Sequence, residues 1–231
     1  MKRLVAAVLV AMLMLGASSA LAAGKINVEQ ENFMTVKDYN DYAYAFAKVT
    51  NTGNKLIRVN AGILEVFDAE GDVITSTDNM YKYAEYLEPD EYTYVYIGAK
   101  LEEGQMANVD DYLLTITGKS ESENRTKRLE VKDLSFKRGV QEGYSTYDYA
   151  YFTVVNNTDE VMWNVKVIYA LLDDLGNILF VRTDSIDWNE GLAPGSSICY
   201  KENIDSDFMA YYDAHDLVPT KVDAIAFVNY N

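Results

Sequence analysis

Shifted against itself by 105 residues, the chain superimposes 39–97 on 144–202 without a gap. Self-similarity on that scale forces the two stretches into the same local structure, and it narrows the folds available more than any other feature of the sequence. Tyr42 falls on Tyr147, Tyr44 on Tyr149, Asn51 on Asn156, Asp68 on Asp173, Gly71 on Gly176 and Pro89 on Pro194. Upstream the shift becomes 103, pairing Ile26 with Leu129, Val28 with Val131 and Phe33 with Phe136. Downstream, Leu114 and Ile116 match Ile225 and Phe227 once six more residues are allowed in the second copy, somewhere in 203–216. The copies span 24–127 and 128–231 and meet at a polar connector, Gly118 to Arg125, with no apolar periodicity. Each copy is expected to bury an interior of its own.

Both copies read as strands. In the first, runs rich in Tyr, Val, Ile, Thr and Phe recur at 25–29, 42–50, 57–67, 72–77, 81–87, 92–97 and 112–117, separated by turn residues. Seven short runs in about 100 residues predict an all-β fold of sandwich type, with few helices. Asp68-Ala69-Glu70-Gly71 and Asp173-Asp174-Leu175-Gly176 place glycine where a hairpin turn needs positive φ.

This order of signals resembles the FxLYD-type domains of exported bacterial proteins. The resemblance covers both copies, from Val49-Thr50-Asn51-Thr52-Gly53 through Val66-Phe67-Asp68 to Leu87-Glu88-Pro89, and from Val154 through Leu171-Leu172-Asp173 to Leu192-Ala193-Pro194. It implies two tandem immunoglobulin-like β-sandwiches without catalytic residues of their own.

Residues 1–23 carry the grammar of export: Lys2 and Arg3, an apolar run from Leu4 to Leu15, then small residues leading to Ala20-Leu21-Ala22. Cleavage is expected after Ala22 or Ala23, leaving a secreted or extracytoplasmic chain with no stable membrane insertion. The apolar run is too short to span a bilayer, which takes about 20 residues. Its removal takes away two cations and no acids, so a chain already at −16 becomes more negative. Such a charge opposes unaided binding to nucleic acid, a polyanion held through Lys and Arg. Cys199, the single cysteine, permits no internal disulfide and is expected as a small buried hydrophobe rather than a reactive thiol.

Catalytic chemistry finds little footing. The lone His215 sits in an acidic run with no nucleophile pattern beside it, so neither an enzyme nor a cofactor is expected. Calcium has weak candidates in Asp205, Asp207, Asp213 and Asp216, which lack the spacing of a known calcium loop. Aromatic rows carry more promise. Tyr42, Tyr44 and Phe46 alternate on one strand and Tyr147, Tyr149 and Tyr151 on its copy, opposite an Ala/Val face suited to the interior. The rings are therefore expected on the outer faces, with Tyr81, Tyr83, Tyr86 and the match of Tyr83, Trp188, in a second group that lines a groove. The sequence thus predicts a binding module for an envelope or extracellular protein or glycan. Two alternatives are a secreted hydrolase using loop carboxylates and a purely structural spacer.

Overall fold

The computed structural model describes residues 25–37, 40–81, 83–186 and 191–230. The expected leader and Trp188 lie outside them. The fold is mostly β, with one short helix. The first half contains β1 (Ile26–Lys37), β2 (Asp41–Asn51), β3 (Ile57–Phe67), β4 (Val73–Thr77), β5 (Tyr86–Leu87), β6 (Tyr92–Lys100) and β7 (Asp111–Ser120). The second contains β8 (Thr126–Glu142), β9 (Ser145–Val155), β10 (Val165–Leu172), β11 (Ile178–Ile186), β12 (Ser197–Ile204), helix α1 (Ser206–Ala214) and β13 (Lys221–Asn229).

In the first half β1-β2-β6 form one sheet, and β3 carries β4, β5 and β7 in another. The second half repeats the pairing in a six-stranded path, β11-β10-β13-β8-β9-β12, because the long β8 pairs β13 with its first residues and β9 with the rest. The registers coincide at the same offset of 105. Thr50 faces Tyr92 as Val155 faces Ser197, and Leu64 faces Thr77 as Tyr169 faces Arg182. Even the irregularity near the end of β3, between Val66 and Phe67, recurs between Leu171 and Leu172.

The motifs behind the family resemblance prove to be structural pins. Asn51 and Asn156 are fully buried, and each side-chain amide donates to two carbonyls, Lys55 and Leu87 in one half, Glu160 and Leu192 in the other, at 2.7–2.8 Å. A buried amide is tolerated only when so satisfied. Gly71 and Gly176 occupy the hairpin turns at φ 87° and 89°.

Three expectations need adjusting. Cys199 is exposed rather than buried: on β12 its side chain takes the outward side, with Sγ 3.5 Å from the Thr153 hydroxyl. The run 81–87 is not one strand: Tyr81 donates to the Tyr96 carbonyl on one sheet while Tyr86 and Leu87 pair with β3 on the other. A segment crossing between sheets cannot keep one ladder. The extra piece downstream is five residues rather than six, since Leu64 faces Leu114 and the equivalent Tyr169 faces Ala224. It lies in the connection that carries α1, where the first half has a 3-10 turn, Gln105–Asn108; α1 is capped by Asp205, whose carboxylate accepts from Asp207 N at 2.9 Å.

The larger departure concerns the interior. Ladders stay within each half, but the core does not. A small cluster between the first half's two sheets (Ala43, Ala45, Leu64, Val66, Ile97) is joined by a large one running from Met34, Phe46 and Tyr94 to Phe180, Phe208 and Phe227. The expectation of two separate interiors is therefore corrected: the halves share a continuous apolar nucleus. No helix among the described residues is long and apolar enough to cross a membrane.

Candidate functional site: an aromatic cleft between the halves

Strand alternation sets the site. On β2, Ala43, Ala45 and Ala47 turn toward β3 and β4, so Tyr42, Tyr44 and Phe46 turn the other way, as the sequence implied. The first ring row is nevertheless not an open face. Phe46 is 1% exposed, 5.8 Å from Phe180 on β11, and Tyr44 lies 5.6 Å from Phe208 on α1. The second half covers this row because its own surface supplies complementary rings. Tyr42 is half-buried and stacks on Tyr44 at 5.5 Å. Gly98 on β6, directly opposite Tyr44, makes that packing possible: a Cβ there would come within 2.7 Å of the ring.

The copied row faces outward with a lid of its own side chains. Tyr147 is 36% exposed, but Tyr149 only 6%, because Lys201 lies 4.3 Å above its ring and Glu142 accepts from its hydroxyl at 3.1 Å. Lys137 sits over Tyr151 at 5.1 Å. Long cationic stems cover apolar rings in this way while their heads stay in water. Tyr83 does not line a groove: it is buried, its hydroxyl donating to the Val59 carbonyl at 3.1 Å.

Of the calcium candidates, Asp205 caps α1, Asp207 follows in its first turn and Asp213 pairs with Arg138. Asp216 stands beyond the helix in a left-handed conformation, φ 56°. They do not converge. Among the described residues no three His, Cys, Asp or Glu side chains gather as a metal site. His215 stacks on Tyr211 at 4.0 Å and its ring Nδ1 meets the Tyr211 carbonyl at 2.8 Å, a role at the helix end.

Where the halves meet, a cleft of about 220 Å³ remains open. Its walls come from β2 (Tyr44, Phe46), the β4–β5 connection and β6 (Tyr81, Tyr96), β11 (Phe180, Arg182) and the start of α1 (Asp205, Phe208). Tyr81 and Tyr96 stack at 4.2 Å, nearly parallel, and burial pushes the Tyr96 phenol up to about 12. Arg182 brings charge into this apolar setting. Burial works against its cation, yet Tyr169, Glu202, Tyr96 and Asp184 around it leave its pKa raised overall. Near it lies Glu202, whose carboxyl is pushed up to about 7 by burial together with the Asp184 charge. Asp184 also accepts from the Tyr200 hydroxyl.

Sequence reasoning reached Tyr44, Phe46, Tyr81 and Asp205 but missed Tyr96, Phe180, Arg182 and Phe208. A signal was available in the difference between the copies. Phe180 and Arg182 stand where the first copy has Thr75 and Thr77, and Phe208 lies in the connection that is longer in the second copy. No protein-family model matches this chain, and no curated protein sequence matches it at a significant level.

Proposed function

We propose that the chain is an exported, non-catalytic binding protein of the bacterial envelope or extracellular space, which recognises a protein or glycan through the cleft between its halves. In this reading each half is an immunoglobulin-like β-sandwich of the FxLYD type, released after removal of 1–23. The coincident registers and the paired asparagine pins support the tandem reading. One observation carries the binding role: an open, ring-lined cleft with a guanidinium and a carboxylate on its walls, beside a shared apolar nucleus.

The rival hydrolase reading draws on the Glu202–Asp184 pair. Glycoside hydrolysis sets its two carboxyl groups about 5–9.5 Å apart, so that sugar and water fit between them. Neither of these carboxyl groups is among the walls of the cleft, where a sugar would have to lie between them, which favours recognition over turnover.

The test is capture from envelope material by the mature chain, compared with Tyr81→Ala/Arg182→Met and, as a control, Tyr147→Ala on the outer row. Loss of the captured partner in the cleft variant alone is expected. Equal capture by all three proteins sinks the cleft as the recognition site. Mass spectrometry of the exported chain is expected to find its first residue at Ala23 or Gly24; retention of Met1 on the exported chain refutes the leader.

A further inference from the structure

Resting on the cleft as the recognition site, the chemistry of its walls narrows what can enter. The half-buried Arg182 side chain makes no hydrogen bond or close ion pair among the described residues, although Asp184 and Glu202 are near enough to influence it. Its five donors are therefore available in a cleft otherwise walled by rings. Asp205 spends one carboxylate oxygen on the helix cap, and the other has acceptor capacity left. Tyr81, 38% exposed, has one face covered by Tyr96 and offers a platform at the mouth. Deeper in, the Tyr169 hydroxyl is fully buried without a hydrogen-bond partner, among Arg182, Asp184 and Glu202.

Each simple ligand class can be weighed against this set. An anion would meet Arg182 but also Asp205, with Asp184 and Glu202 already answering the guanidinium and a chain of −16 around them. A cation would be pressed against Arg182. A wholly apolar ligand would strip water from the Arg182 donors and return nothing, leaving each of them unsatisfied. A neutral ring carrying adjacent hydroxyls satisfies both groups at once, accepting from Arg182 and donating to Asp205, while its C–H face lies on the negative face of Tyr81 or Tyr44. The volume, about 220 Å³, falls below the roughly 300–1,000 Å³ of drug-sized pockets and suits a single ring.

We infer that the cleft binds one neutral sugar ring, free or as a unit of a glycan, stacked on the tyrosines and gripped through its hydroxyls by Arg182 and Asp205. A hydroxyl-reading site of this kind discriminates against analogues lacking the hydroxyl, because its own polar groups are then left unpaired.

The experiment uses the mature chain in titration calorimetry and saturation-transfer NMR. The probes are glucose, galactose, mannose and N-acetylglucosamine with their short oligomers, alongside inorganic phosphate and tetramethylammonium. At least one neutral sugar is expected to bind with Kd in the range of roughly 0.1–10 mM, with saturation strongest on one C–H face of the ring. Arg182→Met and Tyr81→Ala are each expected to weaken it about tenfold or more at unchanged melting temperature, and Asp205→Asn, which keeps the helix cap, to weaken it as well. Tyr147→Ala leaves it unchanged. Binding of phosphate or tetramethylammonium in place of sugar overturns the inference, as does sugar binding that survives both Arg182→Met and Tyr81→Ala. So does the absence of binding by every sugar tested. If cleft variants abolish partner capture from envelope material while no sugar binds or competes, the ligand class falls alone. If capture too ignores those variants, the recognition site falls with it.

Discussion

Glu202 shows how one residue couples the cleft to pH. Burial, helped by the Asp184 charge and opposed by Arg182, pushes its carboxyl from 4.5 up to about 7. Between those values the folded chain keeps a proton that the unfolded chain has released, so the contribution of Glu202 to stability falls as pH rises through this window. Glu202→Gln is then expected to leave stability unchanged at pH 4 and to raise it at pH 8, by about 1 kcal/mol once solvent screening of a half-exposed group is allowed for. Urea denaturation of both proteins at the two pH values measures this. A variant shifted equally at both would show that the carboxyl is not held protonated by its surroundings. None of this was legible in the sequence, where Glu202 is one acid among 36 acidic residues. Only the fold reveals that Asp184, 18 positions away, turns toward it.

Elements divide more evenly between what a sequence can and cannot show. Alternation along β2 and β9 correctly separated the Ala/Val faces from the ring faces, because a strand has only two sides. It could not say what lies beyond a side. Covering of the first row depends on β11 and α1, and α1 lies in a connection that is longer than its counterpart in the first copy, where only a 3-10 turn, Gln105–Asn108, is found. Phe208 sits at the centre of that contact, 5.6 Å from Tyr44 and 4.8 Å from Phe180. Replacing it with Ala is expected to cost about 3 kcal/mol, the lower end for a buried Phe, because a cavity opens between rings that cannot close up. Asp205→Ala should cost about 1 kcal/mol through the lost cap, with Asp205→Asn nearly neutral. Chemical denaturation checks both; a Phe208→Ala variant within about 0.5 kcal/mol of wild type would mean that α1 is an ornament rather than a wedge.

For the whole molecule the question is whether the halves behave as two bodies or one. A repeat joined by a short polar connector suggests two, and domain contacts within a chain are commonly small and polar. Here the apolar cluster is continuous, and polar groups reinforce it: the Tyr92 and Tyr94 hydroxyls both donate to the same Asp223 carboxylate oxygen at 2.7 Å. Arg128 donates to the Tyr92 carbonyl at 2.7 Å and pairs with Glu91, while Asn229 donates to the Tyr83 carbonyl at 2.9 Å. Separating the halves would expose Met34, Val36 and Phe46 and leave Tyr94 without its acceptor, so neither half gains by opening first. Unfolding of the chain is therefore expected to be one cooperative transition, with calorimetric and van't Hoff enthalpies in agreement. Asp223→Ala should destabilise both halves together, by about 2–3 kcal/mol for two charge-assisted hydrogen bonds lost at once, and Asp223→Asn should recover part of that. Two resolved transitions in the unaltered chain, or an Asp223→Ala variant that melts one half early while the other keeps its midpoint, would mean that the shared nucleus does not bind the halves into a single thermodynamic unit.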